Sequence, residues 1–156
     1  MRKLIRYSKT SSFLNLQIKY DDEVFKFNLY EELQVTEVKI NSELKEQPSV
    51  YAFIAMLHKK LIKKAKDQKK QKDTVFAQRY IHYKTQKTTK YFQDNQKQPA
   101  DDLCKAFVEA DKLYIRECLR LHRVEEQRDD LEVCVLAFEQ RKDLIQSLSA
   151  NIRKEK

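Results

Sequence analysis

Residues 59–72 read KKLIKKAKDQKKQK, in which eight of fourteen residues are lysines and Asp67 alone carries the opposite charge. A helix that buries one face needs an apolar residue every three or four positions, and that supply stops here after Leu61, Ile62 and Ala65. The segment therefore faces water or a polyanion. Glycine is absent from the 156 residues and only Pro48 and Pro99 break the chain, a composition that leaves little material for tight turns and predicts long helices around the lysine block.

The charge is concentrated in one place. The formal net charge is +8, yet residues 59–97 hold thirteen Lys and Arg against three Asp, so this segment is +10 by itself and the remainder of the chain sums to −2. Such a block is the electrostatic footprint of nucleic-acid or acidic-membrane binding, and a plain solvated helix face has the same composition.

Upstream of the block the pattern changes. Leu14, Leu16, Ile18 and Tyr20 alternate with Asn15, Gln17 and Lys19; after Asp21-Asp22-Glu23 the alternation resumes with Phe25, Phe27 and Leu29 against Lys26 and Asn28. This predicts a β-hairpin. Its tip has no glycine, which excludes the Asp-Gly type of two-residue turn and favours a slightly longer loop. Residues 33–40, LQVTEVKI, offer a short third strand before Asn41-Ser42 caps a helical turn. The expected organisation is an N-terminal unit over residues 1–40 and a helical domain over residues 41–156.

Pro48 suits the first turn of a helix, where a missing N–H is no loss. From there Val50, Ile54, Leu57 and Leu61 recur at helical spacing, the pattern lapses through the lysines, and it resumes at Val75 or Phe76, Tyr80 and Tyr83. One helix over about 48–92 is expected, then a polar loop, DNQKQ. Pro99 and Asp101-Asp102 open a second helix over about 100–153, whose stripe runs through Leu103, Phe107, Ala110, Tyr114, Cys118, Leu121, Val124, Leu131, Val135 and Phe138 to Leu144, Leu148 and Ile152. Two helices of this length, joined by a short loop, pack as a long antiparallel, coiled-coil-like hairpin. The fold class is thus mainly α with a small N-terminal β-hairpin.

Three segments carry a family resemblance. EELQVTEVKINSEL (residues 31–44), PADDLCKAFVEADKLY (99–114) and VLAFEQRKDLIQSLSANIR (135–153) together resemble the UvsY recombination mediator family of T-even-like phages. The order of parts is similar: an acidic opening, a basic helix, a polar break and a long return helix. The likeness extends to Tyr51, His58, Lys63, Gln71, Lys72, Arg79 and Tyr83, and it covers roughly residues 31–153 as pattern more than identity. Residues 1–30 have no counterpart, and Ala77 stands where the family has a basic residue. The resemblance implies a ring-forming, single-stranded-DNA-binding accessory protein that helps load a RecA-like recombinase onto strands covered by single-strand-binding protein, in the cytoplasm of an infected cell.

The residues themselves point the same way. Lys59, Lys60, Lys63, Lys64, Lys66, Lys69, Lys70 and Lys72 surround the helix with cations, and beyond them Arg79, Tyr80, Tyr83, Lys84, Lys87 and Lys90 interleave aromatic and basic side chains. Single strands are held by that combination, phosphates on cations and bases on rings. Phe76, Tyr80 and Tyr83 are also spaced as core residues, so the rings have a second use. Arg79 is singled out as a phosphate ligand because it matches a basic position of the family.

Other functions find less support. His58, His82 and His122 are scattered, HExxH is absent, and a chain without glycine cannot build a glycine-rich phosphate loop. Cys118 and His122 stand four apart, but no second ligand pair is evident and a core cysteine beside a rim histidine explains them. Asp101-Asp102 and Asp129-Asp130 lie at a helix start and in a solvent context, neither of which couples carboxylates for acid–base work. No catalytic residue, metal or cofactor is expected. Cys104, Cys118 and Cys134 are an odd number without CxxC pairing and read as reduced core thiols of a cytosolic protein. No signal-length or membrane-length apolar run is present. A homo-oligomer is expected, because Val133, Leu136, Ile145 and Leu148 widen the apolar stripe beyond what one partner helix covers. The competing function is a phage interaction or assembly protein whose helical hairpin is a docking surface.

Overall fold

The computed structural model describes residues 15–20, 22–35, 40–86 and 89–154. In chain order the elements are β1 (Asn15–Tyr20), β2 (Glu23–Asn28), α1 (Leu29–Leu33), α2 (Ile40–Thr85), α3 (Lys90–Asn95), α4 (Asp101–Glu109) and α5 (Lys112–Lys154). The protein is mainly α with an N-terminal β-hairpin, as its patterning predicts. It divides into two compact units, residues 1–61 with 127–156, and residues 62–126.

In the first unit the hairpin pairs antiparallel, with Leu16 opposite Phe27, Ile18 opposite Phe25 and Tyr20 opposite Glu23. Only positions 21 and 22 remain between the paired ends, so the connection is shorter than the composition of the tip suggested. The apolar face sets this register. A one-residue slip would turn Leu16, Ile18, Phe25 and Phe27 away from the core they cover, a loss larger than any turn preference. That core gathers Ile18 with Ile54, Leu57 and Leu61 of α2 and Leu131, Cys134 and Phe138 of α5. Ile18 is 1% exposed, so Ile18→Val, which deletes one buried methyl, is expected to cost about 1 kcal/mol in chemical denaturation. A change below the error of that measurement would show that the hairpin is not anchored there.

Leu29 starts α1 and does not extend β2, because the Asn28 side chain accepts the Glu31 N–H at 3.4 Å and opens a helical turn. The expected third strand is not found among the described residues of 33–40: Leu33 ends α1, Gln34 and Val35 are irregular, Ile40 begins α2, and positions 36–39 lie outside the described residues, as does Leu14. α2 starts before the predicted cap at Asn41-Ser42 and runs through Pro48, placing the proline inside the helix. The proline removes one backbone hydrogen bond there. A polar cluster ties that turn to α5 and offsets the loss: Arg141, 8% exposed, donates to the Gln47 and Glu43 side chains and to the Gln34 carbonyl, while Gln47 donates to the Phe138 carbonyl at 2.9 Å. Tyr51 adds a 2.7 Å hydrogen bond to Glu139. These pairings run α2 and α5 antiparallel within the unit. Burial pushes the Cys134 thiol up to about 11, which keeps it protonated and unreactive at neutral pH.

In the second unit α2 ends at Thr85, earlier than the unbroken periodicity implied. Thr89 caps a separate short helix, its hydroxyl accepting the Phe92 N–H, and Gln96 closes that helix in the left-handed region at φ 55°. The second predicted helix is likewise two, broken at Ala110-Asp111. Its buried phase differs by one position from the apolar one. Val108 and Asp111 are buried where Phe107 and Ala110 were expected, and Glu117 is buried where Cys118 was, leaving that thiol half-buried. Cys104 and Cys134 are buried as expected of core thiols, while Leu103 and Val135 beside them are half-buried, and Ile145 takes the inward position expected of Leu144. No helix among the described residues is long and apolar enough to cross a membrane.

Candidate nucleic-acid interface

Within residues 62–126, α2 turns Ala65, Gln68 and Lys72 inward, followed by Phe76, Arg79 and Tyr83, and leaves the opposite side of its surface outward. At about 100° per residue, Lys63, Lys66 and Lys70 fall within an arc of roughly 60° on the side opposite those inward positions, and Lys69 flanks them one turn from Lys66. All four are exposed, and none forms an ion pair among the described residues. Asp67 sits between them without neutralising any of them. The result is a ridge of four solvated cations on one rigid helix.

The remaining predicted ligands have other surroundings. Lys72 is largely buried beside Asp73 at 3.4 Å, and Lys64 is half-buried and already engaged. Lys59 and Lys60 belong to the first unit, where Lys60 lies over the Tyr20 ring at 5.0 Å. Lys84 donates to the Pro99 carbonyl at 3.1 Å and to Asp101 at 2.7 Å, tying the end of α2 to the start of α4. The carboxyl of Asp101 is held below the usual carboxylate range by Lys84 first and the Tyr80 hydroxyl second. Lys90 is exposed at the start of α3, and Lys87 lies outside the described residues.

Arg79 and Tyr83 meet at Asp111. The Arg79 guanidinium reaches Asp111 Oδ2 at 2.7 Å through Nε and at 2.6 Å through Nη2, and the Tyr83 hydroxyl donates to the same oxygen at 2.9 Å. Asp111 Oδ1 accepts the Leu113 N–H at 2.8 Å, which makes this aspartate the cap of α5 as well. Burial raises the Asp111 carboxyl, but the Leu113 N–H, the Tyr83 hydroxyl and Arg79 together outweigh it and hold the group below the usual range. The aromatic side chains are packed on one another: Phe76 against Tyr80 and Tyr114, Tyr83 and Tyr91 against Phe107. These rings and Arg79 thus serve the interior of the unit in this conformation.

Asp111 is not legible in the apolar periodicity, because a buried carboxylate interrupts that pattern. A signal was available. An aspartate immediately before KLYIREC, four residues after Phe107, is an N-cap candidate that ends one helix and starts another. Among the described residues no group of three His, Cys, Asp or Glu side chains is placed to hold a metal, and His122 pairs with Glu126 at 3.2 Å. Compared with known protein families, curated proteins and solved structures, the chain matches none.

Proposed function

We propose that the protein binds single-stranded DNA through the lysine ridge of α2 and acts as a phage recombination mediator, helping to load a RecA-like recombinase onto strands covered by single-strand-binding protein. The observation that carries this reading is the set of four exposed ammonium groups, Lys63, Lys66, Lys69 and Lys70, free of ion pairs among the described residues and carried on one helix. Unneutralised like charges at three- and four-residue spacing weaken a helix, so a phosphate backbone is the partner that such a ridge fits best. With the nearby rings engaged in packing, phosphate contact dominates over base stacking, and binding depends strongly on salt and weakly on sequence.

The mediator role rests on the resemblance of residues 31–153 and on self-association, which would multiply the ridge along a strand. Val133 and Leu136 support self-association, being 62% and 53% exposed on α5. Ile145, grouped with them from the sequence, is 1% exposed and belongs to the core. Two measurements test the reading: mass photometry with and without oligo-dT, and recombinase filament assembly on a strand precoated with single-strand-binding protein. A particle of several copies that binds oligo-dT and shortens the assembly lag is expected. Monomers that leave the lag unchanged would end the mediator reading, and absence of oligo-dT binding at low salt would end the DNA-binding reading as well.

A further inference from the structure

The outward face of α5 in the unit of residues 62–126 has a chemistry the lysine ridge lacks. Its inward positions are taken by Asp111, Glu117 and Leu121, two of them acidic, while Ile115 and Leu119 remain 42% and 52% exposed one turn apart. Beside these aliphatic side chains, at about 100° per residue, run Lys112, Arg116 and Arg123, with Arg120 next to Arg116. Lys112 and Arg123 are exposed and form no ion pair among the described residues. Arg116 and Arg120 reach Glu117 Oε1 at 3.8 and 2.7 Å, and Gln68 of α2 donates to the other oxygen at 2.8 Å. The buried glutamate thus fixes Arg120 by a hydrogen bond and holds the Arg116 charge nearby, while leaving both arginines more than half exposed. The strip closes at Glu126, whose carboxylate is given to His122.

We propose that this strip docks an acidic segment of another protein, one that offers carboxylates to Lys112, Arg116, Arg120 and Arg123 and two apolar side chains to Ile115 and Leu119. The strip is about 16 Å long, three turns of a partner helix. An arginine preset by a buried carboxylate, flanked by further cations and exposed aliphatic groups, is the composition of a protein interface, where a preorganised guanidinium group and apolar anchors carry the binding energy. A nucleic acid fits less well, since a phosphate backbone would leave the exposed Ile115 and Leu119 side chains without an apolar partner. Tyr114 turns inward onto Phe76 at 5.5 Å. The inference does not depend on the DNA-binding reading, because the two faces share no residue.

The test uses the full chain and a labelled acidic peptide of about fourteen residues with two leucines one turn apart, followed by fluorescence anisotropy. Ile115→Ser with Leu119→Ser is expected to weaken peptide binding about tenfold, and Lys112→Glu with Arg123→Glu at least as much. Alanines at Lys63, Lys66, Lys69 and Lys70 are expected to leave it within about threefold. A control peptide with serines in place of the leucines should bind correspondingly less tightly than its leucine parent. Equal binding of the two peptides would reduce the strip to a charge effect and overturn the proposal. So would an equal loss of oligo-dT binding in the serine variant, which would assign the face to nucleic acid, or a drop in its particle mass, which would assign it to a second copy. All variants alter exposed positions, and circular dichroism checks that they fold.

Discussion

Alanine at Lys63, Lys66, Lys69 and Lys70 together is expected to abolish most of the salt-sensitive binding of oligo-dT while leaving the protein at least as stable as the parent. Four phosphate contacts on a single strand give a log–log salt slope near −3, so the parent should lose about 50-fold in affinity between 50 and 200 mM salt. The quadruple variant should show a slope close to flat. Three lysine pairs at three- or four-residue spacing repel one another, and alanine is the better helix former, so denaturation should report a gain of roughly 1 kcal/mol. Opposite signs for binding and stability separate a ligand-binding ridge from a passive solvated face. Lys72 and Lys84, each held by a carboxylate, serve as internal controls whose single alanine variants should barely move the slope. If the quadruple variant binds oligo-dT as tightly as the parent and with the same slope, the ridge is only solvated and the docking reading of the chain takes over.

The parts of the fold that were legible in the sequence are those written in apolar spacing. Alternation through Leu16, Ile18, Phe25 and Phe27 placed the hairpin, and the spacing of Ile54, Leu57 and Leu61 placed the α2 face that receives it. The register itself needed the core, since a glycine-free tip offered only a weak local preference. The lysine ridge was legible because exhaustion of apolar residues after Ala65 is a direct statement about exposure. Less visible were the positions where polar groups take inward places. Asp111 and Glu117 stand at core spacings of α5 or its cap, so apolar repeats settle one residue away, on Ala110 and Cys118, and farther along on Leu144 beside the buried Ile145. That shift also misassigned Ile145 to the rim. Helix ends were missed for a related reason: Thr89 and Asp111 cut the helices through side-chain caps, and a cap competes with periodicity only once its N–H partner is known.

Asp111→Ala is expected to destabilise the unit of residues 62–126 by about 3 kcal/mol. It removes the cap of α5, the acceptor for Tyr83 and the counter-charge of Arg79 in one step. The carboxylate is nearly buried, whereas the Arg79 side chain is 28% exposed and can partly rehydrate, which places the loss toward the lower end for a broken buried pair. Asp111→Asn keeps a cap oxygen and discards the charge, so its loss should be smaller, about 2 kcal/mol. The pH dependence carries a definite sign. Because the folded Asp111 carboxyl lies below its unfolded value, its contribution is complete above about pH 4 and fades as pH falls through the lower folded value. Denaturation of parent and variant should therefore converge below about pH 4 and stay apart at pH 7. Arg79→Ala should lower stability without changing the salt slope for oligo-dT, and the double variant should lose less than the sum of the single losses by about 1–2 kcal/mol. If Arg79→Ala instead shifts the slope by about one unit and leaves denaturation unmoved, the arginine leaves Asp111 for a phosphate when DNA binds, and its role is that of a ligand rather than a clasp.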